Sequence, residues 1–379
     1  MPTCILHIGM PKTGTSSIQE SLFFGLSDPG FRLIGLGESN AVRFLEPLFG
    51  DDPARFWVYR RNGSSAAGVR RLRLDYERRL RAALRRTRAA AATPIISAER
   101  CWAYPSTSLE RFRDFVAEEG FGVRVIAYLR PLKSWLETSF QQEAKLLNEV
   151  FDIERFAEDV RSRPGFWYTQ RLADLERVFG RESLTVRLFS RSALVGGCAV
   201  RDFYATLGIA CDESAIVRTN DSISADAVRM LNCFKHFGPD GGRLTLWANH
   251  LLAKRLEGLR GDAFRFHSTV LTPLAGAIDR QEREVLDRYG VDLHEDTQAA
   301  DSGPCVRDAS DLFRFSRASL DWLARASGRA PIAACEGEAT ARKVAEQVAA
   351  IARCPAPALR LEFLRYRLRR TMRWIRHGD

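Results

Sequence analysis

The sequence predicts an α/β fold: a parallel sheet flanked by helices, with a mostly helical C-terminal part. Three observations predict it. Short apolar runs of strand length recur through the first half, separated by helical patterns of ten or more residues. The first run enters a Gly-containing polar loop and then a helical pattern, the layout of a phosphate-binding turn. After about Thr219 the strand signals stop and a 3.6-residue period takes over.

Taken in order, Thr3 to Gly9 (TCILHIG) is short, apolar and partly β-branched, so it reads as a buried strand. A helix follows through Ile18, Leu22 and Phe23, then a second strand from Phe31 to Leu36. Val69 to Ala92 is a long Arg-rich helix pattern. Pro94 to Ser97 is the third strand, Leu109 to Glu119 a helix, and Val123 to Leu129 the fourth strand. Pro131 suits the first turn of another helix. Leu184 to Phe189 is the fifth strand. Ala225 to Phe237, Leu244 to Leu259 and Leu274 to Tyr289 carry helical periodicity. A break at Asp301-Ser-Gly-Pro304 precedes three more helical segments, at residues 310–326, 337–353 and 357–376. The expected organisation is an α/β domain over residues 1–300, helical after about 220. A helical extension over 301–379 ends in a basic amphipathic segment.

Composition narrows the class. The chain has 379 residues and a formal net charge of +10, with an ordinary globular balance of 45% hydrophobic and 27% charged residues. That balance excludes wholesale disorder and fibrous repeats. The longest stretch without Asp, Glu, Lys or Arg runs from Phe266 to Ile278. It is too short for a membrane span, which needs roughly 20 apolar residues. The N-terminus lacks a basic region ahead of an apolar stretch and does not read as a secretory signal. The cysteines are scattered without a CxxC, and the histidines without an HxxxH, so no metal site is implied. The expected place is a reducing cytoplasm. The basic excess suits anionic partners. Nucleic acid is not expected, because no helix-turn-helix, zinc-finger or RNP signature accompanies it.

Pro11-Lys12-Thr13-Gly14-Thr15-Ser16-Ser17 is the most informative segment. A loop entering a helix offers free backbone N–H groups and the positive end of the helix dipole. Gly14 permits close approach, Thr13, Thr15, Ser16 and Ser17 add hydroxyls, and Lys12 adds a mobile cation. The layout is P-loop-like, but it is not a Walker A loop, because the lysine precedes the single glycine. The strand VRVIAYLR ends in Arg rather than in an acidic magnesium ligand, which disfavours a metal-assisted NTPase.

The run HxGxPKTGTS after a first strand resembles the 5′-phosphosulfate loop of sulfotransferases that use 3′-phosphoadenosine 5′-phosphosulfate (PAPS). With His7 and Thr13 it is similar to the bacterial branch that sulfates carbohydrates. The resemblance implies a second site for the 3′-phosphate: a strand ending in Arg, with a hydroxyl about two helical turns on. Arg130 fits, and a guanidinium matches phosphate geometry bidentately. Thr138 is the first choice for the hydroxyl and Ser139 the second. Weaker similarity continues at Tyr168-Thr-Gln-Arg171, Phe179-Gly180, Val186 to Phe189, Asp202-Phe203, Leu207 to Ile209 and Asn220 to Ser224, so it covers about residues 3 to 237.

The family places a base just after the third strand, which here is Glu99, with Lys12 stabilising the leaving group. Glu99 needs burial to raise its pKa, and Arg100 would oppose that if it pointed inward. His7 is the other ionisable group near the loop, and its place inside an apolar strand favours a core role over a catalytic one. The chain departs from the family by carrying Ser17 where an adenine-stacking aromatic often stands. It also lacks an evident Arg-Lys-Gly loop, for which Arg187 is a partial substitute.

Two basic segments remain. Residues 60 to 88 hold eleven arginines against Asp75 and Glu77, which reads as a solvated helix face more readily than as a wall for an acidic glycan. In the tail, Leu361, Leu364, Leu368, Met372 and Ile375 form one stripe flanked by arginines. Such a helix suits an anionic membrane surface, the protein's own core or a second subunit, and packing on the core is the favoured expectation.

The resulting expectation is a PAPS-dependent sulfotransferase without a metal, acting on a hydroxyl of a carbohydrate or glycolipid-like acceptor. It would be cytoplasmic, with a peripheral place at the inner membrane face left open. The alternatives are a P-loop-like small-molecule kinase and an inactive nucleotide-binding or membrane-surface adaptor.

Overall fold

The computed structural model describes residues 1–53, 56, 59, 65–146, 153, 155–219, 223–295, 301, 303–354, 361, 364–366 and 368–372. β1 (Thr3–Gly9) runs through a loop into α1 (Thr15–Gly25), followed by β2 (Phe31–Leu33), α2 (Val42–Phe49) and α3 (Ala66–Ala89). Then come β3 (Thr93–Ser97), α4 (Ser106–Glu118), β4 (Gly122–Leu129) and α5 (Leu132–Leu146). α6 (Phe156–Arg161), α7 (Tyr168–Phe179), β5 (Leu184–Leu188) and α8 (Ala199–Leu207) complete the sheet layer. The rest is helical: α9 (Ala225–Phe237), α10 (Leu246–Leu256), α11 (Ser268–Leu271), α12 (Ala275–Tyr289), α13 (Arg317–Ser327) and α14 (Glu338–Arg353).

The five strands form one parallel sheet in the order β2-β3-β1-β4-β5. The expected fold class, a P-loop-like parallel sheet flanked by helices with a helical C-terminal part, is the one observed. Both faces of the sheet are covered, which explains why the central strands β1 and β3 are near-continuous buried runs instead of alternating, while Arg32 and Arg187 fall on the edge strands β2 and β5. Along β1, Cys4, Leu6 and Ile8 face one core, and Ile5 faces the other. The second core is built by Ile18 and Leu22 of α1 with Val200, Phe203 and Tyr204 of α8. The first is larger and continuous, from Leu6 through Leu109 and Leu172 to Val228 and Val344.

The topology sets the site. β1 lies between β3 and β4, so the C-terminal ends of these three parallel strands emerge side by side. The chain leaves β1 toward β3 and β2, and later crosses to β4 and β5 on the other side. Such a reversal opens a crevice at the carboxyl edge of a parallel sheet.

Among the boundaries that differ from the sequence expectation, three have a visible cause. β2 ends at Leu33 rather than Leu36, because Leu36 and Gly37 take φ of 50° and 93° and turn the chain away. The helix expected over 310–326 is a short 3₁₀ turn, Ala309–Phe313, and then α13, capped by Ser316, whose hydroxyl accepts from the Ser319 N–H at 3.2 Å. The helix expected from Leu244 starts at Leu246, where Thr245 caps it in the same way. The long Arg-rich helix is present as α3. Arg81 and Arg85 pair with the buried Glu119, and other arginines of the helix point to solvent.

Part of the tail lies outside the described residues, including Ile375. Residues 361, 364–366 and 368–372 are helical. Tyr366 packs on Phe24, and Arg370 pairs with Glu38 and lies over the Phe23 ring. The expected packing of the stripe on the core is corrected here. Leu361, Leu364, Leu368 and Met372 are 45% to 65% exposed, because Tyr366 and Arg370 on the opposite face make the attachment.

Candidate active site

β1 ends at Gly9, and the next residues form a tight cradle. Lys12 and Gly14 take φ of 73° and 72°, so the loop curls before α1 begins at Thr15. Gly14 also sits where no side chain fits: a Cβ would lie 2.9 Å from Cβ of Ala199 and 3.2 Å from the Phe189 ring. Thr13 is fully buried and donates its hydroxyl to the Met10 carbonyl at 2.6 Å, and Thr15 reaches the same carbonyl at 3.3 Å. The curl leaves Lys12, Gly14, Thr15, Ser16 and Ser17 along a cleft of about 500 Å³.

The neighbouring strands bring the other groups to the same cleft. Arg130 follows β4, and its Nη1 donates to the Lys12 carbonyl at 3.2 Å. Its guanidinium lies over the Phe189 ring, and the Tyr168 hydroxyl donates to its carbonyl at 3.0 Å. Burial holds the Arg130 guanidinium below its ordinary pKa, and Glu295 opposes that shift. Thr138, two turns along α5, lines the cleft, and its hydroxyl donates to the Ser134 carbonyl at 2.8 Å. Glu99 follows β3 and faces Lys12. Burial raises its carboxyl pKa, and the Lys12 charge partly offsets the rise. Lys12 is lowered to about 8, mainly by burial; the Glu99 charge opposes the shift, and Lys145 and Arg130 add to it.

Arg100 does not compete for Glu99. It pairs with Glu46 at 2.9 Å and lies over the Phe56 ring. Lys12 is therefore the cation that Glu99 meets across the cleft.

Four residues expected at the site lie elsewhere or face elsewhere. The Thr13 side chain holds the loop together from within and does not line the cleft. Ser139 is one residue further round α5 than Thr138, and it does not line the cleft either. Arg187 makes a bidentate pair with the fully buried Asp202, both bonds at 2.6 Å, and the Tyr128 hydroxyl donates to the same carboxylate at 2.8 Å. Its fork is committed to that pair and is not among the cleft-lining groups. His7 is fully buried in β1, shares a hydrogen bond with Ser97 at 2.8 Å and packs against Phe203 and Tyr128. Burial lowers its pKa to about 3, so it is a neutral core histidine.

The sequence did not point to Ser134, Gln141, Gln142, Lys145, Phe189, Thr219, Arg265 or Glu295, all of which line the cleft. Some of these lie on α5, and an Arg-hydroxyl spacing rule does not single them out. The rest come from distant segments. Ser17, assigned to the loop, is tied to one of them: its Oγ accepts from the Thr219 N–H at 3.1 Å. A second cavity of about 800 Å³ adjoins and shares Gly14, Ser17, Arg130, Phe189 and Glu295.

Among the described residues, His267, Asp301 and Cys305 bring ligand-type atoms within 4.8 Å of one another. Helix capping accounts for two of the three, His267 and Asp301. His267 Nδ1 accepts from the Thr269 N–H at 3.2 Å, which assigns the ring proton to Nε2, on the side facing Asp301 at 3.7 Å. Asp301 in turn accepts from both the backbone and the hydroxyl of Ser268.

No protein-family model matches the chain, and no curated protein matches it. Among solved structures, the chain is similar to a sulfotransferase from Alicyclobacillus acidocaldarius at 18% identity. The match covers 60% of this chain and 89% of that one with a TM-score of 0.36. At that distance the likeness decides neither family nor substrate.

Proposed function

We propose that this protein is a sulfotransferase that moves the sulfuryl group of PAPS to a hydroxyl of a carbohydrate or glycolipid-like acceptor. One observation carries the reading. Two helix N-termini, each with its own cation (Lys12 at α1, Arg130 at α5), converge on one cleft with a half-buried carboxylate, Glu99, at its wall. The first cradle suits a 5′-phosphosulfate and the second a 3′-phosphate, so one doubly phosphorylated adenosine spans them. Both cavities border Arg130 and Gly14, which leaves room for a nucleotide on one side and an acceptor on the other. No metal enters this reading.

Each residue has a step. The loop N–H groups, Thr15, Ser16 and Lys12 meet the charge that grows on the 5′-phosphate as its bond to sulfur breaks. Glu99 takes the proton of the acceptor hydroxyl as the new oxygen–sulfur bond forms, and its raised pKa brings it nearer the range in which a carboxylate is an effective base. Arg130 and Thr138 fix the far end of the nucleotide, which keeps the two oxygens in line. The test is transfer of labelled sulfuryl from PAPS to a panel of glycan and glycolipid hydroxyls. Lys12→Ala should abolish transfer, and Glu99→Gln should retain PAPS binding while slowing turnover. Glu99→Gln at full activity would remove Glu99 from the mechanism.

We propose as well that the protein works in a reducing cytoplasm, lying peripherally on an anionic membrane. All eight cysteines are free thiols. Leu361, Leu364, Leu368 and Met372 make an exposed apolar ridge with the exposed Arg365 and Arg369 beside it. An apolar ridge edged by arginines is complementary to anionic headgroups above acyl chains.

A further inference from the structure

The carboxylate of Glu295 is docked on the N-terminus of α5. Its Oε2 accepts from the backbone N–H of Ser134 at 3.1 Å, and its Oε1 accepts from the Ser134 hydroxyl. Ser134 is the third residue of α5, so that N–H is one of the donors a helix leaves unmatched within itself. Such donors are usually satisfied by the residue just before the helix. Here the acceptor comes from 161 residues away. It is delivered by a segment pinned by the buried Val291 and Leu293 just after α12. Glu295 borders both cavities, beside Arg130.

We infer that Glu295 sets the affinity and selectivity of the nucleotide site as a resident counter-anion on the seat a 3′-phosphate must take. This rests on the PAPS reading. A phosphate that reaches Arg130 and the α5 N-terminus competes for the Ser134 N–H and hydroxyl that Glu295 holds, and two anions cannot share them at hydrogen-bond distance. Glu295 must therefore leave Ser134 for the 3′-phosphate to bind. In the resting protein its charge acts on the nearby half-buried Arg130, and its carboxylate occupies a helix end that would otherwise attract small anions. A nucleotide without a 3′-phosphate leaves the contact intact, so Glu295 acts only on ligands that carry that group.

The size of the effect follows from occupancy. If the carboxylate holds its seat about 90% of the time, the apparent affinity for the 3′-phosphate falls about tenfold. Glu295→Gln keeps the side chain's shape, removes its charge and weakens that hold.

The experiment is calorimetric titration of the full chain, Glu295→Gln and Glu295→Ala with adenosine 3′,5′-bisphosphate and, separately, with AMP. Both variants should bind the bisphosphate about tenfold tighter than wild type and bind AMP with unchanged affinity. In transfer assays both should lower KM for PAPS more than they change kcat. Wild type binding the bisphosphate with both variants unchanged or weaker would overturn the role of Glu295 and leave the PAPS reading standing. So would a matching loss of AMP binding, since the carboxylate would then hold the ribose. Bisphosphate binding by none of the three would overturn the PAPS reading itself, and this inference with it.

Discussion

Arg130 Nη1 donates to the carbonyl oxygen of Lys12 across 3.2 Å, joining the turn after β4 to the loop after β1. The two strands are neighbours and parallel, so the two helix N-termini that follow them open on one cleft. Removing the guanidinium loosens the loop and deletes the second cradle together. Arg130→Ala should cost about 2–3 kcal/mol of bisphosphate binding, roughly a 30- to 150-fold loss. Arg130→Lys should recover only part of it, because a point charge cannot bond bidentately. Equal losses for AMP and the bisphosphate would mean that Arg130 supports the loop alone.

The Lys12–Glu99 pair predicts the pH profile of kcat/KM. Glu99 acts as its carboxylate, so activity falls as pH drops through its raised pKa. Lys12 acts as its ammonium, so activity falls again as pH rises through about 8. The profile should be a bell. Lys12→Arg should move the alkaline limb upward and Glu99→Gln should remove the acidic limb. A profile that stays flat on the alkaline side would contradict the role of Lys12.

Arg187 predicts a separation of stability from function. Asp202 is fully buried, and Arg187→Ala removes its cationic partner, leaving the hydroxyl of Tyr128 and the Val195 N–H. The expected cost is on the order of 3 kcal/mol in denaturant unfolding. Bisphosphate affinity, measured where the variant is folded, should not change. A selective loss of nucleotide affinity at full stability would return Arg187 to the site.

His7 predicts a stability trend rather than an activity trend. Its pKa is lowered to about 3 by burial. The unfolded chain takes up a proton near the ordinary value of about 6.5, and the folded chain does not until far lower pH. The resulting stability loss as pH falls through that window should approach about 1.4 kcal/mol per unit. Chemical denaturation of wild type and His7→Gln across that range measures it, and identical slopes would contradict the burial argument.

The exposed tail ridge predicts sedimentation with vesicles containing phosphatidylserine and not with neutral ones, weakened by added salt. Leu364→Glu with Leu368→Glu should abolish it without altering bisphosphate binding. Concentration-dependent dimerisation lost in the same variant, with no vesicle binding, would assign the ridge to a second copy.

The parts of this site that were legible in the sequence share one property. Lys12, Gly14 to Ser17, Glu99 and Arg130 lie at or just beyond strand ends, and Thr138 two turns along the helix that follows β4, where strand-turn-helix grammar is local. The inward turn of Thr13 depends on the positive φ of Lys12, which residue types alone do not specify. Arg187 sits at the end of β5 as a phosphate ligand would, but the partner that claims it is on α8. Glu295 lies far along the chain from the helix it caps, so no local pattern links it to Ser134. In the tail, periodicity defined a stripe. Which side faces the protein was decided by Tyr366 and Arg370 meeting Phe24 and Glu38.

The most direct test of the two-cradle account is a titration of the full chain with adenosine 3′,5′-bisphosphate, with and without magnesium, alongside ATP. The account predicts saturable bisphosphate binding that does not need magnesium and is lost separately in Lys12→Ala and Arg130→Ala. Preference for magnesium-ATP, or bisphosphate binding indifferent to either substitution, would contradict it.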